Sequence, residues 1–301
     1  MPNWNEILVE IQQEIVLKNP HPIDTVRKKY LRRISENTNR NVIAYYSGWL
    51  YRNSADVAIN DKDKAAFMLN IHGMDRSKGL DLILHTPGGD LAATESLVEY
   101  LHCMFGNDIR AIIPQISMSA GTMIALSCKE IMMGKQSNLG PIDPQMGNIA
   151  CQGVIAEFDK AKEDIKANPQ SALLWTSIIG KYHPTFLGSC QQAIDWSQKL
   201  AEEWLGRNMC ASDISKVAKI LKEFSDHQEQ KSHSRHISLR KCKDVGLNII
   251  DMEADNMLQD LILSAHHAYA HSFSNSTAVK VVENHLGIAY IENIPMPISN
   301  S

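Results

Sequence analysis

Two short stretches of the chain hold residues suited to acyl-transfer chemistry. The first is His85-Thr86-Pro87-Gly88-Gly89-Asp90, where an apolar strand pattern gives way to a helical one. Adjacent glycines let backbone amides approach a ligand. N–H groups at a helix N-terminus stabilise a developing negative charge. A plain tight turn with Asp90 as N-cap uses the same residue types. The second stretch is Ile116-Ser117-Met118-Ser119-Ala120-Gly121-Thr122, again where a strand pattern passes into a helix. In open parallel α/β structures, ligand chemistry gathers at such strand ends. Ser117 and Ser119 both have the right type for a nucleophile. Ser119 is preferred, because three small residues follow it directly and Ala120 contributes a free amide. The logic is that of a nucleophile elbow, without the G-x-S-x-G pattern. A third stretch, Asn138-Leu139-Gly140-Pro141-Ile142-Asp143-Pro144-Gln145, is a stiff loop with two prolines. It suits a groove wall, a register element between subunits, or an ordinary turn.

TPGGD, SMSAGTMIALSCKEIMMG and SNLGPIDPQ, in this order and spacing, resemble the Clp-protease/crotonase superfamily. More narrowly, the chain is similar to the serine dehydrogenase proteinase family, relatives of signal peptide peptidase A and of membrane-bound stomatin-specific proteases. The similarity is densest over residues 40–150, with weaker stretches at 179–190 and 233–237. The resemblance implies an α/β, ClpP/crotonase-like fold of stacked β-β-α units with a largely helical C-terminal extension. It implies a serine peptidase with Ser119 as nucleophile and the amides of Gly88, Gly89 and Ala120 as oxyanion hole. Pro87, Pro141 and Asp143 then fall along the substrate groove. A polypeptide substrate, no cofactor, no metal, and a homo-oligomer with the helices after residue 180 as contact arms complete the expectation.

The general base is less directly placed. A Clp-type histidine falls within 141–145, which holds Asp143 and no histidine, so a Ser-His-Asp triad does not fit. Relatives of the peptidase A type use a downstream lysine instead. Lys160, forty-one residues after Ser119, takes that place, with Lys162 and Lys166 as competitors on the same helix and His233 or His236 as histidine alternatives. A lysine base must be neutral, so burial has to lower its pKa from about 10.4. Two other readings use the same scaffold. One is a crotonase-like acyl-CoA enzyme, for which Glu130 and Asp143 are the nearby acids. The other is a catalytically inactive assembly or adaptor protein.

The elements that must position these residues read as an alternation. Strand patterns at 41–50, 80–86, 109–117 and 129–134 are separated by helical ones at 61–74, 91–105 and 120–128, which argues parallel β–α units. After Gln152 the pattern is mainly helical, and 278–293 reads as a hairpin turning at 284–287. The expected organisation is an N-terminal helical segment (1–40), a catalytic core (41–180) and a mainly helical extension with a terminal β-hairpin (181–301). Five basic residues within Arg27–Arg33 read as a solvated helix face. His267 and His271 have helix-ligand spacing but lack a third ligand in the sequence.

Composition narrows the class. Thirty Lys plus Arg against thirty-four Asp plus Glu give a net charge of −4, which argues against a nucleic-acid-coating protein. The six cysteines form no C-x-x-C pair, and a chain of 301 residues has a core large enough to do without disulfides. The N-terminal residues lack an uninterrupted apolar run, so no signal peptide is expected. Eighteen uncharged residues from Ala111 to Cys128 approach spanning length, yet Pro114, Gln115 and three serines favour a buried strand and helix. A cytoplasmic protein with no membrane span is the expectation.

Overall fold

Strand β1 (Asn41–Ser47) and strand β2 (Leu80–His85) are buried along their whole length. Such strands need cover on both faces, the condition of a parallel sheet between helical layers. The computed structural model describes residues 4–147, 149–225 and 235–294. β1 and β2 are joined in parallel register by β3 (Ile109–Ile113), β5 (Glu130–Met133) and β10 (Ile249–Asp251). One row across the sheet is Ile43, Leu82, Ala111 and Ile131; the next is Ala44, Ile83, Ile112 and Met132.

These rows point to opposite faces, as the two-residue period of a strand requires. The first row enters a core with α3 (Lys62–Ile71), α4 (Leu91–Phe105), α5 (Ala120–Ser127) and α8 (Phe186–Arg207). The second row meets α1 (Trp4–Val16), α2 (Pro22–Thr38) and α11 (Asn256–Asn275). The arrangement is a mixed α/β fold around a seven-stranded sheet.

The order β10-β5-β3-β2-β1-β11-β12 takes both sheet edges from the last sixty residues described. β11 (Ala278–Asn284) runs antiparallel to β1, and β12 (Ala289–Asn293) folds back on β11 as a hairpin. The residues after 180 are therefore part of the central sheet as well as a helical addition. β11 carries charge into the interior: Lys280 and Glu283 are both fully buried. Each is paired, Lys280 with Asp63 at 2.8 Å and Glu283 with Arg27 at 2.9 Å. Arg27, from the basic run of α2, is therefore an interior anchor, whereas the run as a whole suggested solvent.

The uncharged run 111–128 becomes most of β3, then β4 (Ile116–Ser117) and α5. The strand pattern 109–117 divides at Pro114–Gln115, since proline cannot donate to a ladder. β4 leaves the main sheet and pairs with β6 (Asn138–Leu139), which pairs in turn with β9 (Ile237–Ser238). A short hairpin of β7 (Gln145–Met146) and β8 (Ile149–Ala150) leads into α6 (Cys151–Ala167). α6, α7 (Ala172–Ile179) and α8 form an arm with its own small core at Cys151, Val154, Cys190 and Ile194. α9 (Ser215–Ser225) and α10 (Leu239–Val245) return the chain to the sheet. Among the described residues no helix is long and apolar enough to cross a membrane. His271 packs its ring 3.7 Å from that of Trp4, which accounts for one of the two spaced histidines.

His85 ends β2 with its ring stacked on Tyr46 at 5.3 Å, and His266 lies 5.5 Å away. Burial pulls the His85 pKa down to about 4. The folded chain thus refuses a proton that the unfolded chain accepts below about 6.5. The contribution of His85 is complete above that value and is lost as pH falls toward 4, by roughly 3 kcal/mol in all. Urea unfolding of wild type between pH 7 and 4 should show this loss. In His85→Phe, which keeps the stacking, the loss should shrink by about that amount; an unchanged pH slope would remove His85 as its source.

Candidate active site

The chain between β4 and α5 turns at Ser119, whose backbone sits at φ 50° and ψ −120°. A non-glycine residue held there costs about 1–3 kcal/mol, so the neighbours must impose the conformation. They do so on both sides of the serine. The Met118 amide donates to Thr86 O at 2.9 Å, and Gly121 N donates to Met118 O at 2.8 Å. Ser117 O accepts from Thr122 Oγ1 at 2.9 Å and from Gly140 N at 3.1 Å. The Ser119 side chain caps nothing in α5 and is half-buried, so its hydroxyl is free for other work.

The Gly-Gly motif lies directly against this turn. Gly88 has φ 95°, and a Cβ there would stand 2.7 Å from Ser119 Cβ and 2.8 Å from the Ala120 nitrogen. A Cβ on Gly89 would stand 2.3 Å from the Ile59 backbone. Each glycine is thus demanded by a close approach of backbone, at Ser119 in one case and at Ile59 in the other. Ile59 N donates to Gly88 O at 2.8 Å, and Asp90 N donates to Ile59 O at 2.9 Å. Between those two bonds the Gly89 amide has no acceptor among the described residues. Neither has the Ala120 amide, the first of α5. Gly88 differs: its amide donates to Thr86 Oγ1 at 3.1 Å. Of the three amides expected as oxyanion donors, the structure leaves Gly89 and Ala120 open and engages Gly88 internally.

Two helices begin at this place. α4 starts at Leu91 and α5 at Ala120, so both present their partial positive ends toward Ser119. Asp90 is committed as the N-cap of α4, its Oδ1 accepting from Ala93 N at 2.8 Å. Ser119, Ala120, Gly89 and Asp90 line a cleft of about 430 Å³. Met123, Ile142, Pro144, Met146 and Trp196 supply most of its apolar wall. From the stiff loop, Ile142 and Pro144 reach the cleft, whereas Pro141 and Asp143 are buried and do not line it. Pro87 is half-buried and also outside the lining. The expected groove residues are therefore displaced by one position along the loop, because neighbours on an extended segment face opposite ways.

The far wall comes from α8, through Ser189, Gln192, Ala193 and Trp196. Lys160 lines a different cavity with Gln191, Ile194 and Gln198 of the same helix. At about 100° per residue these two sets fall on opposite faces of α8. The helix therefore stands between Ser119 and Lys160 within one chain. Lys162 and Lys166 are exposed on α6, and Lys162 pairs with Asp159 at 2.8 Å. His236 is exposed just before β9, and His233 lies outside the described residues. Among the described residues no lysine or histidine lines the Ser119 cleft. His85 belongs to the opposite face of the sheet, with Tyr46 and His266.

Two participants left no trace in sequence. Ile59 sits in a stretch without periodicity, yet its backbone brackets the Gly89 amide. Phe224, at the end of α9, accepts from Ile142 N at 2.9 Å and so holds the cleft-lining loop from 82 residues away.

An uncharacterized protein of Methanocaldococcus jannaschii is 27% identical over 231 residues, covering 75% of this chain and 74% of its own. A second uncharacterized protein of that organism is 36% identical over 86 residues, 29% of each chain. A family model described as ClpP-like SDH-type serine proteinase matches residues 15–262, from the end of α1 into the first turns of α11. With its serine turn, its paired glycines and the five parallel strands of its sheet inside that span, the chain belongs to the family of ClpP-like SDH-type serine proteinases.

Proposed function

We propose that the protein hydrolyses peptide bonds with Ser119 as the nucleophile, and that a lysine, Lys160, serves as general base. The observation that carries this reading is the Ser119 turn, held in a costly conformation beside two helix N-termini and two amides without acceptors. In this scheme Ser119 Oγ attacks the scissile carbonyl. Its oxygen takes up negative charge between the Gly89 and Ala120 amides. The base accepts the Ser119 proton and passes it to the leaving amine, after which water releases the acyl group. The apolar cleft excludes bulk water from the oxyanion, which strengthens both amide interactions.

Because α8 separates Lys160 from Ser119 in one chain, the lysine of a second copy completes the site in this proposal. The homo-oligomer that the family resemblance implies is then a catalytic requirement. The acyl-CoA reading fares worse. Glu130 begins β5, at the sheet end away from Ser119, and Asp143 does not line the cleft. Asp90, the acid that does, is occupied in capping α4.

A fluorophosphonate probe should label wild type and leave Ser119→Ala unlabelled; equal labelling of both would remove Ser119 from the mechanism. Ser119→Ala and Lys160→Ala should each lose peptidase activity alone. Co-refolded at equal amounts, they should regain activity, about a quarter of wild type for a randomly mixed dimer. Undiminished activity of Lys160→Ala would discard that lysine, and absence of recovery would discard its supply from a second copy.

A further inference from the structure

The Gly89 amide can bind an oxyanion only if something aims it, since glycine has the freest backbone of all residues. Functional donors need to be held within about half an ångström. Gly88 and Gly89 have no side chains with which to hold themselves. The structure surrounds them with a buried polar network that the peptidase chemistry does not otherwise use.

Its centre is Asp63 on α3, 1% exposed, facing Lys280 on β11, fully buried. Lys280 Nζ lies 2.8 Å from Asp63 Oδ1 and 3.1 Å from Oδ2, and donates to Ala58 O at 2.8 Å. Asp63 Oδ2 also accepts from Asn60 N at 3.0 Å and from the Tyr45 hydroxyl at 2.8 Å. Ala58 and Asn60 flank Ile59, the residue whose N–H and C=O bracket Gly89 through Gly88 O and Asp90 N. On the other side, the Tyr45 hydroxyl lies beside the Thr86 side chain, and Thr86 Oγ1 accepts the Gly88 amide at 3.1 Å. Burial and the facing Asp63 carboxylate hold the Tyr45 phenol well above its ordinary pKa, so it remains a donor.

Two branches thus leave one ion pair and meet the Gly88–Gly89 backbone from opposite sides. A buried ion pair contributes little net stability compared with apolar residues of equal volume. Its directional bonds do specify geometry, and here they converge on the two peptide units either side of Gly88. We propose that Asp63 and Lys280 are positioning residues that aim the Gly89 amide at the oxyanion, acting through Ala58–Asn60 and through Tyr45 and Thr86. The catalytic meaning of this aim rests on the Ser119 reading above; the mechanical linkage does not.

The experiment separates the two. Asp63→Asn, Lys280→Met and the milder Tyr45→Phe, which unpairs no charge, are compared with wild type in full-length protein. Hydrogen exchange at the Ile59 and Asp90 amides reads the linkage directly. It should rise at least about tenfold in Asp63→Asn relative to amides of β3, and less in Tyr45→Phe. Peptide hydrolysis reads the consequence. The value of kcat should fall about ten- to hundredfold while KM stays within about twofold, since a misaimed oxyanion donor weakens only the transition state. Inhibition by a peptide boronate, whose tetrahedral adduct places an oxygen among the amides, should weaken in parallel with kcat. Lys280→Arg, which keeps the charge and the donors, should recover part of the loss. Unchanged exchange at Ile59 and Asp90 in a folded variant overturns the positioning role, as does unchanged kcat. Should Asp63→Asn fail to fold, Tyr45→Phe decides on the same two readouts. If wild type resists fluorophosphonate labelling while the exchange shift is present, the Ser119 reading falls and the linkage stands.

Discussion

The left-handed backbone at Ser119 is the constraint around which the rest of the fold is arranged. A serine at φ 50° cannot be maintained by its own preferences, so the energy to hold it comes from the elements on either side. β4 pairs with β6, Thr86 O takes the Met118 amide, and α5 is buried at all of its eight residues. Gly88 is then required because any side chain there would enter the space of Ser119. Gly89 is required because the Ile59 backbone passes so near. The cleft exists because two strand ends, two helix starts and one loop all meet at this turn.

The arm α6–α8 has a role that its helical pattern did not announce. Its last helix walls the Ser119 cleft on one face and a second cavity, with Lys160, on the other. A helix used on two faces both walls the Ser119 cleft and keeps Lys160 away from it. In the proposed mechanism this divides the site into a part that one chain completes, Ser119 and the two open amides, and a part that a second copy supplies. The exposed Leu173 and Leu174 on α7 belong to the same arm and leave apolar surface at its tip.

Much of the local structure was legible in sequence. The helix at 91–105, its Asp90 cap and the strand before it follow from periodicity and capping chemistry, which act over a few residues. The break at Pro114 was written in the sequence, but its consequence was not. Reading 109–117 as one strand missed that β4 departs for another sheet, since only the partner β6 reveals it. The basic run Arg27–Arg33 read as a surface, yet Arg27 is buried against Glu283, more than 250 residues away. Ile59 and Phe224 carried no signal because they act through backbone atoms, which every residue type offers equally.

What the sequence determined by itself was the inventory: a serine followed by small residues, a glycine pair before a helix cap, and the order in which they occur. Those features depend on side-chain type and on neighbours within one turn, so composition and spacing suffice to find them. Tertiary structure decided which amides remain open, since Gly88 is claimed by Thr86 while Gly89 and Ala120 are not. It also decided that Pro144 rather than Pro141 lines the cleft, and that Lys160 lies behind α8 from Ser119. These outcomes turn on which face of a strand or helix is packed against a distant segment. A rotation of one residue reverses the face, and only long-range packing selects among the rotations.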